Sequence, residues 1–154
     1  MPEAKTLKRA KKAEREGKAP TTVAGEFVRE EIDHVRRGKH GARSPKQAIA
    51  IGLSKARRAG VPLPPPRKGQ ASETTRRKAQ QDTQRAKQPP RTSARRSQAT
   101  RGALAREGHE AASSRSLSEQ ARRSNRARVA AKSSRRPRSR PSSTAKRGAS
   151  NRAR

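Results

Sequence analysis

Ser44-Pro45-Lys46-Gln47-Ala48-Ile49-Ala50-Ile51-Gly52-Leu53-Ser54-Lys55-Ala56-Arg57-Arg58-Ala59-Gly60-Val61-Pro62 carries its own start and stop signals. The Ser44 hydroxyl can accept an early backbone N–H, Pro45 suits a first helical position, and Gln47 can reach back, which together make a capping box. At the other end Gly60 can take the left-handed conformation that stops a helix, Val61 can fold back on Ala56, and Pro62 blocks continuation. Between these signals Ile49, Leu53 and Ala56 share one face, with Ile51 to one side. The stretch predicts a helix, and a helix with one apolar face needs a partner.

The partner lies immediately upstream. Over residues 22–37 Ala24, Phe27, Val28, Ile32 and Val35 fall on one side at 100° per residue, and Glu26, Arg29, Glu30, Asp33 and Arg37 fall on the other. Arg29–Asp33 and Asp33–Arg37 are spaced as i,i+4 ion pairs. Thr22 is placed to cap this helix and Gly38 to end it. The expected fold class is therefore all-α: a small helix–loop–helix head, with the remainder largely disordered or transiently helical.

Working outward, the chain divides into five parts. Residues 1–19 read as a basic N-terminal helix with a thin apolar stripe of Ala4, Leu7 and Ala10. Residues 20–61 are the helix–loop–helix module. Residues 62–70 are a Pro-rich linker in which Pro62-Leu63-Pro64-Pro65-Pro66-Arg67 matches an SH3-ligand pattern, although a stiff spacer is the simpler reading. Residues 71–132 alternate Arg, Ala, Ser, Gln and Lys without a core face, with a second capping box at Ser116-Leu117-Ser118-Glu119. Residues 133–154 form a basic disordered tail.

Composition explains why so little is expected to fold. Leu, Ile, Val and Phe supply 14 of 154 residues, about 9%, and ten of those 14 lie between Val23 and Leu63. A highly charged chain below roughly 20% is expected to be disordered, because it cannot bury enough apolar surface to offset its ordering entropy. The net charge is +30: residues 1–70 carry 18 basic and 7 acidic side chains, and residues 71–154 carry 24 and 5. Residues 120–154 hold 13 Lys and Arg with no acid. Such a chain suits a polyanion.

Other chemistries find little support. With no Cys there is no disulfide framework, thiolate nucleophile or zinc ribbon. No apolar run reaches membrane-spanning length, and the charged first 17 residues do not resemble a signal peptide. There is no Gly-x-Ser-x-Gly elbow and no phosphate-cradling glycine loop, so no enzyme, cofactor or small-molecule substrate is expected. Of His34, His40 and His109, only His34 shares a helix face with an acid, Glu30, and no metal is expected. His34 suits instead the negative end of a helix dipole. One Phe and no Tyr or Trp argue against base-stacking modules of the single-strand or RNA type. Lys8-Arg9-Ala10-Lys11-Lys12 reads as a solvated basic helix face in preference to a nuclear localisation signal.

Two resemblances add to this. Glu26-Phe27-Val28 through His34, then Arg37-Gly38-Lys39-His40-Gly41, then Ser44 to Gly60 resembles a family of small basic bacterial proteins of unknown function. That family's stretch runs Lys/Gly-rich loop, Ser-x-x-Gln-Ala-Ile-Ala-Ile, Ala-Arg-x-Ala-Gly. The likeness covers about residues 24–61 and implies a bacterial cytoplasmic protein, without assigning an activity or a site. The tail resembles the basic tails of bacterial linker-histone-like proteins. Within it Pro137-Arg138-Ser139-Arg140-Pro141 is similar to the AT-hook core that lies in the minor groove, with Ser139 where that core has glycine.

The functional expectation is a sequence-nonspecific, histone-like DNA-binding protein of the bacterial nucleoid, with DNA favoured over RNA. An RNA- or ribosome-associated protein, or an adaptor whose head binds a protein partner, are the alternatives. Phosphate contacts are expected from Lys39, Arg43, Lys46, Arg57 and Arg58 in the head. In the tail they are expected from Arg122, Arg123, Arg126, Arg128, Arg135, Arg136, Arg138, Arg140, Lys146 and Arg147. Two helices leave one side of their seam open, so residues 20–61 are expected either to dimerise through Phe27, Val28, Ile32, Ile49 and Leu53 or to gain helix only when a polyanion is added.

Overall fold

The computed structural model describes residues 2–87 and 93–133. It contains helices α1 (Ala4–Arg15), α2 (Pro20–Arg36), α3 (Pro45–Arg58), α4 (Glu73–Arg85), α5 (Ala94–Ala105) and α6 (Ser114–Ser133), with one 3-10 turn at Glu110–Ala112. No strand is present among the described residues, and the fold is all-α.

The decisive helix, α3, begins and ends where its sequence indicates. Ser44 Oγ accepts the Gln47 N–H at 3.3 Å, and Gln47 Oε1 accepts the Arg43 N–H at 2.8 Å, one residue upstream of the cap. Gly60 has φ 95° and the Val61 N–H returns to the Ala56 carbonyl at 3.1 Å. The buried face is rotated from the expected one. Ala48, Gly52 and Ala56 are buried, while Ile49 and Leu53 are only half-buried. The cause is how closely α2 and α3 approach: a Cβ on Gly52 would stand 2.6 Å from Val28 Cα and 2.9 Å from Val28 N. A branched side chain has no room at such a crossing.

α2 starts at Pro20 in the first helical position, which places Thr22 inside the helix and not at its cap. Two apolar clusters lie at its ends. Val23, Ala24 and Phe27 pack with Ala10 and Ala13 of α1, Ala56 of α3 and Leu63, and Leu53 and Val61 border them. Val35 packs with Ala42, Ala48, Ala111 and Ala112, bordered by Ile32. Phe27 is 1% exposed, buried inside this one chain. It is therefore not on the surface where the expected dimer seam would need it, although Val28, Ile32, Ile49 and Leu53 are half-buried.

Three departures follow, two of them from the use of small or polar residues as core. α1 packs through Thr6, Ala10 and Ala13, so it is part of the head and not a separate appendage. The Pro-rich segment is pinned by Leu63, 6% exposed, with the Pro64 and Pro66 carbonyls accepting from Arg57 at 3.4 Å and Arg76 at 3.2 Å. It is not a free spacer. Residues 71–132 do have packing faces: α4 docks on α3 through Ala79 and Asp82, the latter accepting the Ser54 hydroxyl at 2.6 Å. Further on, Ala111 and Ala112 close the second cluster, and Arg36 Nε donates to the Ala112 carbonyl at 2.9 Å. The α2–α3 loop is held by Gly41 N–H to Leu104 O at 2.8 Å and Ala42 N–H to Gly108 O at 2.9 Å. Here Gly41 lies directly on the Glu107 carbonyl, where a side chain would collide. α6 starts two residues before the expected box, with Ser113 Oγ accepting the Ser116 N–H at 3.2 Å.

Candidate nucleic-acid interface

Between its two apolar ends α2 carries a buried charged layer. Glu30 and Glu31 are 3% and 1% exposed, so Glu30 does not lie on the outward face that periodicity gave it. Lys55 of α3 serves both, 3.2 Å from Glu30 Oε1 and 2.6 Å from Glu31 Oε2. Burial pushes the Glu30 carboxyl up, but hydrogen bonds from Thr6 and the Glu3 N–H, with the Lys55 charge, outweigh it and hold the group low. Glu3, just before α1, takes Lys39 Nζ at 2.7 Å and His34 Nε2 at 2.8 Å. Hydrogen bonds from Lys39 and then His34 hold its carboxyl down to about 2. His40 faces Glu31 at 2.9 Å. Burying carboxylates here and at Asp82, 2% exposed, leaves the surface more cationic than the sequence average.

The head residues expected to contact phosphate do not form one patch. Lys39, Arg43 and Lys46 gather around the α2–α3 loop and the start of α3, all exposed. Lys39 is tied to Glu3 and Arg43 to Glu107 at 3.1 Å. Arg58 lies twelve residues beyond Lys46, about 18 Å along the helix, and leans toward Asp82 at 3.8 Å. Arg57 is a correction. It is 9% exposed, its guanidinium faces the Pro64 carbonyl, and its buried Nε has no hydrogen bond. Desolvation lowers its pKa against the pull of Asp82. Arg57 is a structural cation, not a phosphate contact.

A stripe that the sequence marks only as a solvated basic helix face lies on α1. Lys5, Lys8, Lys12 and Arg15 are exposed and fall within about 80° of one another on the helix circumference. They lie opposite Thr6, Ala10 and Ala13, which are buried. The signal was present in Lys8 to Lys12, but the facing alanines were too small to mark the other side as core.

Residues 5–68 match the sequence model of a family of unknown function, DUF6496. The match takes in α1, α2, α3 and the docked Leu63, so the matched stretch is wider than the 24–61 stretch that carried the resemblance. α4, α5 and α6 lie outside it. No curated protein and no solved structure matches the chain.

Beyond the matched residues, α6 displays exposed cations. α6 is anchored at its base, where Ser116, Leu117 and Gln120 are half-buried and the helix meets α3 and the 3-10 turn. From Ala121 to Ser133 every residue is exposed. This arm carries Arg122, Arg123, Arg126, Arg128 and Lys132 and no acid. Arg115, Arg122 and Arg126 line one face within about 40°. Arg123 approaches Glu119 at 3.9 Å, and Arg128 donates to Asn125 at 3.2 Å. Arg135, Arg136, Arg138, Arg140, Lys146 and Arg147, with the Pro137–Pro141 motif, lie outside the described residues. Two open grooves mark the surface, one along α5 lined by Arg95, Gln98, Ala99, Gly102 and Arg106. The other lies between Pro65 and α4, lined by Gln80, Thr83, Gln84 and Lys87. No described helix is long and apolar enough to cross a membrane.

Proposed function

We propose that the protein is a non-enzymatic, largely sequence-nonspecific DNA-binding protein of the nucleoid, acting by phosphate neutralisation. The observation that carries this reading is the α6 arm: thirteen consecutive exposed residues with five cations and no acid, projecting from a head that buries three of its carboxylates. A helix exposed all round buries little surface along that length, and a phosphate backbone offers it a complementary surface. Duplex DNA presents a charge about every 1.7 Å of axis, so the arm and the α1 stripe can each meet several phosphates.

Competition between duplex DNA, duplex RNA and single strands at fixed salt tests the reading. Duplex DNA is expected to bind tightest and with little dependence on sequence. If 6–10 phosphates are contacted, affinity falls by about 10³–10⁵ between 50 and 200 mM salt. A salt-insensitive affinity overturns the mechanism, and a clear preference for RNA overturns the choice of polymer.

A further inference from the structure

Glu31, His34 and His40 each offer a ligand atom within 4.8 Å of the others. Glu31 and His34 are three apart on α2, hence on one helix face, and His40 comes from the following loop. The hydrogen bonding of His40 is the informative detail. Its Nδ1 lies 3.0 Å from the Gly41 carbonyl, which can only accept, so Nδ1 carries the proton. A neutral ring then directs a bare Nε2 lone pair at Glu31 Oε1, 2.9 Å away. Two acceptors that close require a cation between them, either a second proton on the ring or a metal ion. A histidine that donates its far N–H to a backbone carbonyl has the orientation metal-bound imidazoles usually have.

The other carboxylate oxygen is held apart from this pair. Lys55 Nζ stands 2.6 Å from Glu31 Oε2, close enough for a strong charge interaction but out of line for a hydrogen bond. That fixes the carboxylate while leaving Oε1 free to ligate through one oxygen. Glu3 Oε1, 2.8 Å from His34 Nε2 and 2.7 Å from Lys39 Nζ, lies beside the cluster and would have to leave Lys39 to serve as a fourth donor. Counting Glu3, Glu30 and Glu31 against Lys39 and Lys55, with neutral imidazoles, the group has a formal charge of −1 in a chain of +30. A divalent ion is attracted here when most of the surface repels it.

We infer that Glu31, His34 and His40, completed by Glu3, form a binding site for a divalent first-row transition metal of the zinc class. Two imidazoles and carboxylates suit zinc at about 2.0–2.2 Å per ligand, with ligand atoms roughly 3.4 Å apart, so the cluster needs only side-chain adjustment to close on an ion. The ion would join the segment before α1, the end of α2 and the α2–α3 loop, a staple in a head that has no cysteine.

The test uses the full chain, stripped with a chelator and titrated with zinc chloride by calorimetry, and separately with cobalt(II) chloride by visible absorption. One equivalent per chain is expected, with the intense visible bands of a tetrahedral nitrogen–oxygen cobalt site and a rise in Tm on zinc addition. His34→Ala and His40→Ala should each weaken zinc at least tenfold, while His109→Ala should leave it unchanged. Circular dichroism of the metal-free variants checks that they fold. Glu3→Gln, at an exposed position, tests the site should either histidine variant fail to fold: it should weaken zinc and lose the tetrahedral cobalt bands. Absence of zinc binding under excess metal overturns the inference. Binding that survives His34→Ala with His40→Ala, or cobalt bands unchanged in Glu3→Gln where the histidine variants do not fold, overturns it as well.

Discussion

α1 and the outer part of α6 are written in nearly the same alphabet, alanines spaced among Lys and Arg, yet the fold treats them oppositely. In α1 Ala10 and Ala13 are buried against Val23, Ala24 and Phe27, and the lysines form a stripe on the outer side. In α6 beyond Gln120 alanine and arginine alike are exposed, and Val129 is 61% exposed. Composition does not separate the two helices. What separates them is a neighbour able to accept a small-residue face: α2 offers α1 an aromatic side chain and Glu26, which pairs with Arg9 at 2.9 Å. Charge is thus used in two ways, locked inside the head in ion pairs and displayed on the arm with no acid among its residues.

Substitutions that act on one region alone give the comparison its sharpest break. Lys55→Ala leaves two buried carboxylates without the cation they share and should cost about 3–5 kcal/mol of unfolding free energy, read from urea titration. A cost near zero would show the charged layer to be hydrated and the head not organised around it. Gly52→Ala should cost about 1–3 kcal/mol, because α2 and α3 must separate to admit the methyl group. Both changes should leave the salt dependence of DNA binding by the folded protein intact.

The arm should behave in the converse way. Arg122→Ala with Arg126→Ala should lower duplex affinity about tenfold, or about 1.4 kcal/mol, and reduce the slope of log K against log salt by about 2. Unfolding free energy should move by less than about 0.5 kcal/mol, since both side chains are exposed. An equal loss of stability would mean that the arm is part of the core. The smallest effect falls on the best-read feature: Ser44→Ala removes the cap at Gln47 and should cost about 1 kcal/mol, measurable as a small fall in Tm with DNA affinity unchanged.

What the sequence disclosed follows from which physical signals are local. Caps, glycine stops and proline starts depend on a few adjacent residues, so the ends of α3 and the stop of α2 at Gly38, φ 69°, could be read directly. Burial is a property of neighbours distant in sequence. Hydrophobic periodicity found Phe27 and Val35, but it could not find faces built from Ala79 and Asp82, or from Ala111 and Ala112, where the docking side chain is an alanine or an acid. The same limit put Glu30 outside and Arg57 on the surface, because a charged residue counts as solvated until its partner is known. The Glu31, His34 and His40 cluster depended on the loop reversing at Gly38, which spacing alone does not show to bring His40 back onto α2.

The manner in which α6 is attached has a mechanical consequence. Thirteen exposed residues at about 1.5 Å each make a rod of roughly 20 Å anchored at its base. A force on its tip becomes a torque at its base, where Ala111 and Ala112 fill the second cluster and Arg36 ties the turn to α2. Whatever grips the arm also pulls, with the advantage of a long handle, on the smaller of the two cores and on the loop that runs from α2 to α3.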